Sequence, residues 1–277
     1  MKTILFPTDF SKNAFHAAEY AGMLAHKLNA KVILLHAFSI PMVPANHTSY
    51  NVRFAIDSYR ASLSKDLEKF RDAFINITGL TVDNVSSKIE YGFPADKILE
   101  VAEHLNVDMI VMGTKGASNF LDKWLGTNSQ KVMQEAKCPF WIIPNKAKIE
   151  YPETVMYAAD FQEDEILATQ KVLAFVKPLG TACKVVHVND FFELYAGAGV
   201  REMVNYLSDE FESENVSFHN INSEGIITGL EAHIQKIKPN LLALAMHQKS
   251  FLNKIFENSI TKHFVQEARL PMLIFKK

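Results

Sequence analysis

Thr3-Ile-Leu-Phe-Pro-Thr-Asp9-Phe10 opens this chain, and Thr154-Val-Met-Tyr-Ala-Ala-Asp160-Phe161 repeats it in the second half. Each is a short apolar run that stops at an aspartate followed by a phenylalanine. In both copies a histidine inside a second apolar run lies 27 positions after the aspartate: His36 in Val32-Ile-Leu-Leu-His-Ala37 and His187 in Val185-Val-His-Val188. The endings match as well. Phe120-Leu-Asp-Lys-Trp-Leu-Gly-Thr-Asn128-Ser129 answers Phe251-Leu-Asn-Lys-Ile-Phe-Glu-Asn258-Ser259, and Gln134-Glu-Ala-Lys-Cys-Pro139 answers Gln266-Glu-Ala-Arg-Leu-Pro271. Self-similarity on this scale marks a duplicated domain. The joint falls between Asn145 and Tyr151, giving domains over residues 1–147 and 151–277.

Within the first copy, short apolar runs alternate with longer segments of helical period, the pattern of a parallel sheet covered on both faces. Strands are expected near residues 3–7, 31–37, 85–91, 108–113 and 140–144. Ser11 is placed to cap the first helix, whose buried stripe is Ala14, Ala17, Ala18, Ala21, Leu24 and Leu28. Leu63, Leu67, Phe70, Phe74 and Ile77 mark a second helix. Pro94 suits the first turn of a third, running to about Leu105, and a fourth begins near Asn128. Five strands and four helices make a doubly wound α/β unit of Rossmann-like type, so the chain is two such units in tandem. Ligands of such sheets gather outside the carboxyl ends of the strands, where the strand order reverses. Asp9 and Gly113 end the first and fourth strands.

The run Asp108-Met-Ile-Val-Met-Gly113-Thr-Lys-Gly116, followed after nine residues by Gly126-Thr127, carries the chemistry. An apolar strand ending in glycine, a second glycine three positions on, and a Gly-Thr pair opening a helix describe a phosphate cradle. Glycine takes positive φ at little cost and lets an oxygen approach the main chain. Thr127 adds a hydroxyl where a helix dipole favours negative charge. The structural alternative is an ordinary turn at Gly113 and Gly116, with Thr127 and Gln130 forming a capping box.

Composition narrows the class. At 277 residues, 48% hydrophobic and 22% charged, the chain is long enough for two ordinary globular cores. The net charge of −2 gives no footprint for nucleic acid. Lys and Arg number 16 against 14 Asp and Glu over residues 1–147, and 13 against 17 over 148–277, so the first half suits an anion better. Cys138 and Cys183 have no partner at metal or redox spacing, which fits a reducing cytoplasm. Met1-Lys-Thr-Ile-Leu-Phe-Pro is too short for a signal peptide, and no run has the length to span a bilayer; both argue against export and membrane insertion.

Phe6-Pro-Thr-Asp9-Phe-Ser, Val32-Ile-Leu-Leu-His-Ala and Gly113-x2-Gly116-x9-Gly126-Thr127 together resemble the universal stress protein family, in its ATP-binding branch. The likeness covers essentially the whole chain as a tandem pair. It implies cytoplasmic α/β domains of strand order 3-2-1-4-5 that bind adenine nucleotide, are often dimeric through the last strand, and serve stress adaptation. Carried over by position, Asp9 accepts from a ribose hydroxyl, with Pro7 and Thr8 beside it. The backbone at Ala37 meets the adenine edge. Gly113 lies beneath ribose and diphosphate, and Gly116, Gly126, Thr127, Asn128 and Ser129 donate to phosphate oxygens. A bridging Mg²⁺ or Mn²⁺ is expected, held mainly by the phosphates. Plainer roles compete: Asp9 closing an Asx turn, Lys115 merely solvated rather than on phosphate, and His36 and His187 serving as packing.

The second copy departs from this pattern. Ala245 stands at the place of Gly113, Gln248 at Gly116, Glu257 at Gly126-Thr127 and Glu224 at Gly92. A Cβ hinders close approach and a carboxylate repels phosphate, so the second domain is expected to be a structural partner or to bind something else. An intramolecular pair in place of a homodimer follows, with the strands near Trp141 and Leu273 facing each other, and further self-association open. The connection from Phe38 to Asn51 has the length of a functional lid, and its counterpart from Asn189 to Gly199 carries Phe191, Phe192 and Tyr195. Three functions compete: a nucleotide-loaded regulator with an unknown signalling partner, a slow ATP hydrolase of the related adenine-nucleotide fold, and a protein-interaction module. No positioned general base, paired carboxylates or activated nucleophile stands beside the glycine loop to favour the second.

Overall fold

The strands form because β-branched and aliphatic residues are buried on both faces of a parallel sheet, which is what continuous apolar runs require. The computed structural model describes residues 1–39, 49–114, 126–161, 164–189, 197–212, 214–246, 260–267 and 269–277. They divide into two units, Met1–Asn145 and Lys146–Lys277. The first runs β1 (Thr3–Pro7), α1 (Lys12–Leu28), β2 (Lys31–Phe38), α2 (Ser49–Thr78), β3 (Val85–Tyr91), α3 (Pro94–His104), β4 (Met109–Gly113), α4 (Thr127–Glu135) and β5 (Phe140–Ile143). Its strands are parallel in the order β3-β2-β1-β4-β5. In the second, β6 (Thr154–Ala159), α5 (Glu165–Val176), β7 (Ala182–Asn189), α6 (Gly197–Glu210), β8 (Val216–Asn222), α7 (Ile226–Ile237), β9 (Leu241–Met246), α8 (Ile260–Gln266) and β10 (Met272–Lys276) follow in turn. The order there is β8-β7-β6-β9-β10, again parallel. Both units are thus doubly wound with the expected 3-2-1-4-5 order. No helix among the described residues is long and apolar enough to cross a membrane.

In the first unit Ile4, Leu5, Phe6, Val32, Leu34, Ile110 and Val111 lose all solvent contact at the sheet centre. Right-handed crossovers put α1 and α2 on one face and α3 and α4 on the other, and each pair packs together. Ser11 caps α1 as expected, its hydroxyl accepting the Ala14 N–H at 3.2 Å. Ala14, Ala17, Ala18, Ala21 and Leu24 are buried, while Leu28 is only half-buried.

Along α2, Leu63, Leu67, Phe70 and Phe74 face the core, but Ile77 is 54% exposed, contrary to expectation. At 100° per residue positions 77 and 78 lie equally far on either side of the stripe's centre, and it is 78 that packs inward. Thr78 takes that place, its hydroxyl returned to the Phe74 carbonyl at 2.7 Å. Its methyl seats against Gly22 of α1, where a Cβ would fall 2.1 Å from Thr78 Cγ2. Gly22 therefore sets how closely the two helices approach.

Candidate functional site

Strand order in the first unit reverses between β1 and β4, and that seam is open at its carboxyl end. β1 and β4 pair only at Ile4↔Met109 and Leu5↔Ile110. The reason is Pro7. The Thr3 carbonyl accepts from Asp108, on the β4 side, whereas the Thr8 N–H donates to Leu35 on the β2 side. Alternation therefore aims position 7 at β4, where proline has no N–H to donate. In the second unit Ala158 replaces Pro7, and the equivalent ladder runs on to Ala158↔Leu244. Pro7→Ala is expected to stabilise the first unit by roughly 1 kcal/mol, one ladder bond, while narrowing the seam; unfolding with urea checks it.

Past Pro7 the chain makes a turn held from several sides. Thr8 Oγ1 accepts the Phe10 N–H at 3.1 Å and Asp9 Oδ1 the Ser11 N–H at 3.1 Å. The Asx turn weighed for Asp9 thus exists, and its carboxylate is exposed at the seam. Phe10 takes φ 63°, costly for a bulky residue. Its ring stacks on His36 at 4.3 Å, and His36 Nδ1 bonds the Thr8 carbonyl at 2.8 Å. The second unit repeats the device: Phe161 has φ 51°, stacks on His187 at 4.5 Å, and His187 Nδ1 meets the Ala159 carbonyl at 3.0 Å. Both histidines therefore pack and position.

Burial pulls the His36 imidazole below its ordinary 6.5, only partly countered by the Thr8 bond and by Asp9 and Asp66. The unfolded chain then takes the proton first, so stability present above pH 6.5 is lost as pH falls toward the lower folded value. His36→Gln should flatten that part of the stability profile, read from urea midpoints between pH 7.5 and 5.5.

Ala37 lies two residues beyond Leu35, the last partner of β1. By alternation its peptide groups face the same side as those of Leu35, where β1 has already ended. The peptide edge at Ala37 therefore opens on the gap beside Asp9.

Gly113 and Gly126 differ from expectation in one respect, because neither uses positive φ. Gly113 is an ordinary strand residue paired with Ile143. Its missing Cβ points at α1, 3.4 Å from the Asn13 carbonyl and 3.6 Å from Ala17 Cβ. Gly126 is the N-cap of α4, and among the described residues a Cβ there would meet nothing nearer than the Thr114 carbonyl at 4.0 Å. The Gly126 N–H closes the base of the intervening segment on that same carbonyl at 3.0 Å. No side chain caps α4, so the alternative of a Thr127–Gln130 capping box does not hold; Thr127 is the first helical residue. Among the described residues the amides of Thr127, Asn128 and Ser129 have no acceptor, as expected of a helix start. Ser129 is buried, its hydroxyl 3.4 Å from the Gly113 carbonyl, tying α4 to the end of β4. Lys115 and Gly116 lie outside the described residues, as do Gln248, Glu257 and most of both long connections.

In the second unit a lysine sits among the counterparts of Asp9, Asn13 and Ala14. Lys277 follows β10, its side chain 2% exposed, with Nζ 2.5 Å from Asp160, 3.1 Å from Asp164 and 3.0 Å from Glu165. Glu165, at the position of Ala14, is fully buried and also accepts the Phe161 N–H at 3.1 Å. Burial raises the Glu165 carboxyl above its ordinary 4.5 despite Lys277. Burial would lower the Lys277 ammonium, but the Asp160 bond and the Glu165 charge more than offset that and raise it. Burial, with Glu165 beside it, also pushes the Tyr157 phenol well up. Sequence reasoning missed this cluster, whose one signal was acidic Asp164 and Glu165 where the first copy has Asn13 and Ala14. A second correction concerns Gly92, whose N–H bonds the Phe38 carbonyl. Ser223, not Glu224, makes the equivalent bond, to Asn189.

Comparisons with known proteins agree with this geometry. A family model described as the universal stress protein family matches residues 1–144. A Thermus aquaticus protein, described as a universal stress protein in the QAH/OAS sulfhydrylase 3'region, is 33% identical over 142 residues, 51% of this chain and 98% of its own. A universal stress protein of Methanothermobacter thermautotrophicus is 30% identical over 147 residues, 51% of this chain and 94% of its own. Among solved structures, a universal stress protein from Archaeoglobus fulgidus shares the fold, with a TM-score of 0.75 at 20% identity over 99% of this chain and 98% of that one.

Proposed function

Because the chain belongs to the universal stress protein family, we propose that its first unit binds ATP with Mg²⁺ or Mn²⁺ and that the protein is a cytoplasmic, nucleotide-dependent regulator of stress adaptation. The observation that carries this reading is the seam opened by Pro7, with the free amides of α4 on one side and Asp9 on the other. In it the Thr127, Asn128 and Ser129 amides, with the Thr127 hydroxyl, receive phosphate oxygens. Gly126 leaves room for them, and Lys115 and Gly116 belong to the same loop. Gly113 forms the floor, tied to α4 through Ser129. Asp9, steadied by Ser11 and flanked by Pro7 and Thr8, accepts from the ribose, and the Ala37 peptide edge meets the base.

The metal neutralises phosphate charge, and among the described residues no cluster of acids, histidines and cysteines competes for it. In the second unit three carboxylates already surround Lys277, a field that opposes a polyphosphate. One nucleotide per chain is therefore expected. Calorimetric titration of the full chain with ATP and magnesium, alongside an assay of phosphate release, tests the reading. No binding at millimolar ATP overturns it, a stoichiometry of two overturns the assignment of the second unit, and turnover supports the hydrolase instead of the regulator.

A further inference from the structure

The α7 face of the second unit carries basic groups at two places where the first unit has apolar side chains. Lys184 of β7 occupies the place of Ile33, His219 of β8 that of Lys88, and His233 of α7 that of the buried Val101. Lys236 stands at the place of His104. In the first unit Lys88 is paired with Glu90 at 2.9 Å; the second unit has Ile221 there. Of these five neighbouring changes, Lys184 and His233 put basic groups where the first unit has apolar ones, Lys236 replaces a histidine by a lysine, His219 replaces a lysine by a histidine, and Ile221 removes the carboxylate that pairs with Lys88.

The groups left behind lack counter-charge. The His219 and His233 rings lie 5.5 Å apart, and the Ser217 hydroxyl is 2.9 Å from His219 Nε2. Ser217 pairs with Lys184 across the ladder, and Val186 with His219, so all of them share one face of the sheet. His233 is 7% exposed, and its Nε2 has no hydrogen-bond partner, a state that a buried polar atom rarely keeps. Burial lowers both imidazoles, and the charges of Lys184 and Lys236 act on each in the same direction. No carboxylate pairs with either lysine among the described residues. Glu231, the acid nearest along α7, is engaged by His263 at 2.8 Å.

We propose that Lys184, Lys236, Ser217, His219 and His233 form a binding site for a phosphate-class oxyanion, either inorganic phosphate or the phosphoryl group of a small phosphomonoester. Two ammonium groups supply charge, Ser217 and the imidazoles supply directed donors, and the orphaned His233 Nε2 gains the partner it lacks. A cation such as zinc fits less well, because two lysines face it and only two imidazoles offer ligands. The site is independent of nucleotide binding in the first unit.

Proton NMR of the histidine rings in the full chain tests this, with His219 and His233 signals assigned from His219→Gln and His233→Val. Sodium phosphate is the first probe and glycerol phosphate the second, each against sodium chloride of equal ionic strength. Both signals should move saturably and both titration midpoints rise in phosphate or in glycerol phosphate, with no such change in chloride; whichever probe binds more tightly identifies the source. Lys184→Ile and His233→Val restore residues that the first unit tolerates, and each should weaken the response about tenfold. Lys236→Gln, on the exposed side of α7, gives the same result without touching the core. Equal shifts in phosphate and chloride, or a response unchanged in Lys236→Gln, overturn the proposal.

Discussion

Gly126→Glu is expected to reduce ATP affinity at least about 100-fold while making the first unit slightly more stable. A carboxylate a few ångströms from a phosphate opposes it by about 4 kcal/mol at the effective dielectric of a protein surface, where 2.7 kcal/mol already amounts to 100-fold. Among the described residues a Cβ at this position meets nothing closer than 4.0 Å. A negative charge also suits an uncapped helix start, and it contributes about 0.3–1 kcal/mol there. Binding and folding should therefore respond in opposite directions. Calorimetric titration and urea unfolding of the same preparation measure both, and undiminished ATP affinity in a folded variant would refute the cradle at α4.

Lys277→Met should cost the second unit about 3 kcal/mol near neutral pH, the scale on which one partner of a buried pair is removed. Asp160 and Asp164 are each more than a third exposed and regain water, so the penalty concentrates on the fully buried Glu165. Acidification provides the second readout. Glu165 already takes its proton above the ordinary 4.5, so the deficit should shrink as pH falls through that raised value. At the alkaline end, the parent's advantage is intact below pH 10.5 and disappears as pH climbs through the raised pKa of Lys277. Chemical unfolding followed by circular dichroism at pH 7 and pH 4 makes the comparison. A variant as stable as the parent, or a deficit of equal size at both pH values, would sink the claim.

Most of the fold was legible because its signals are local. Apolar runs placed β1, β3 and β5 to within a residue, and Ser11 and Pro94 fixed two helix starts. Ile77 failed because the helical period leaves 77 and 78 equally placed at the edge of the stripe, and the choice is made by Gly22 of α1, which receives Thr78. The site was legible as a set of residue types, but not as causes. Pro7 was named for its neighbours, whereas its effect is the donor it withholds from β4. In the second unit the lysine cluster beside Asp160 stayed hidden. Lys277 meets Asp160, Asp164 and Glu165 only because parallel strands end at one edge, a relation that a linear scan does not contain.

The left-handed turn at Phe10, clamped by His36, has a twin at Phe161 beside His187, in a unit where Lys277 engages the neighbouring Asp160. The shape of this loop therefore owes nothing to nucleotide. The sugar of the proposed nucleotide would meet a surface that is already set, losing little conformational entropy on that side of the seam. Association through this edge should accordingly be fast, and differences in affinity among variants that spare the turn should show in dissociation rates.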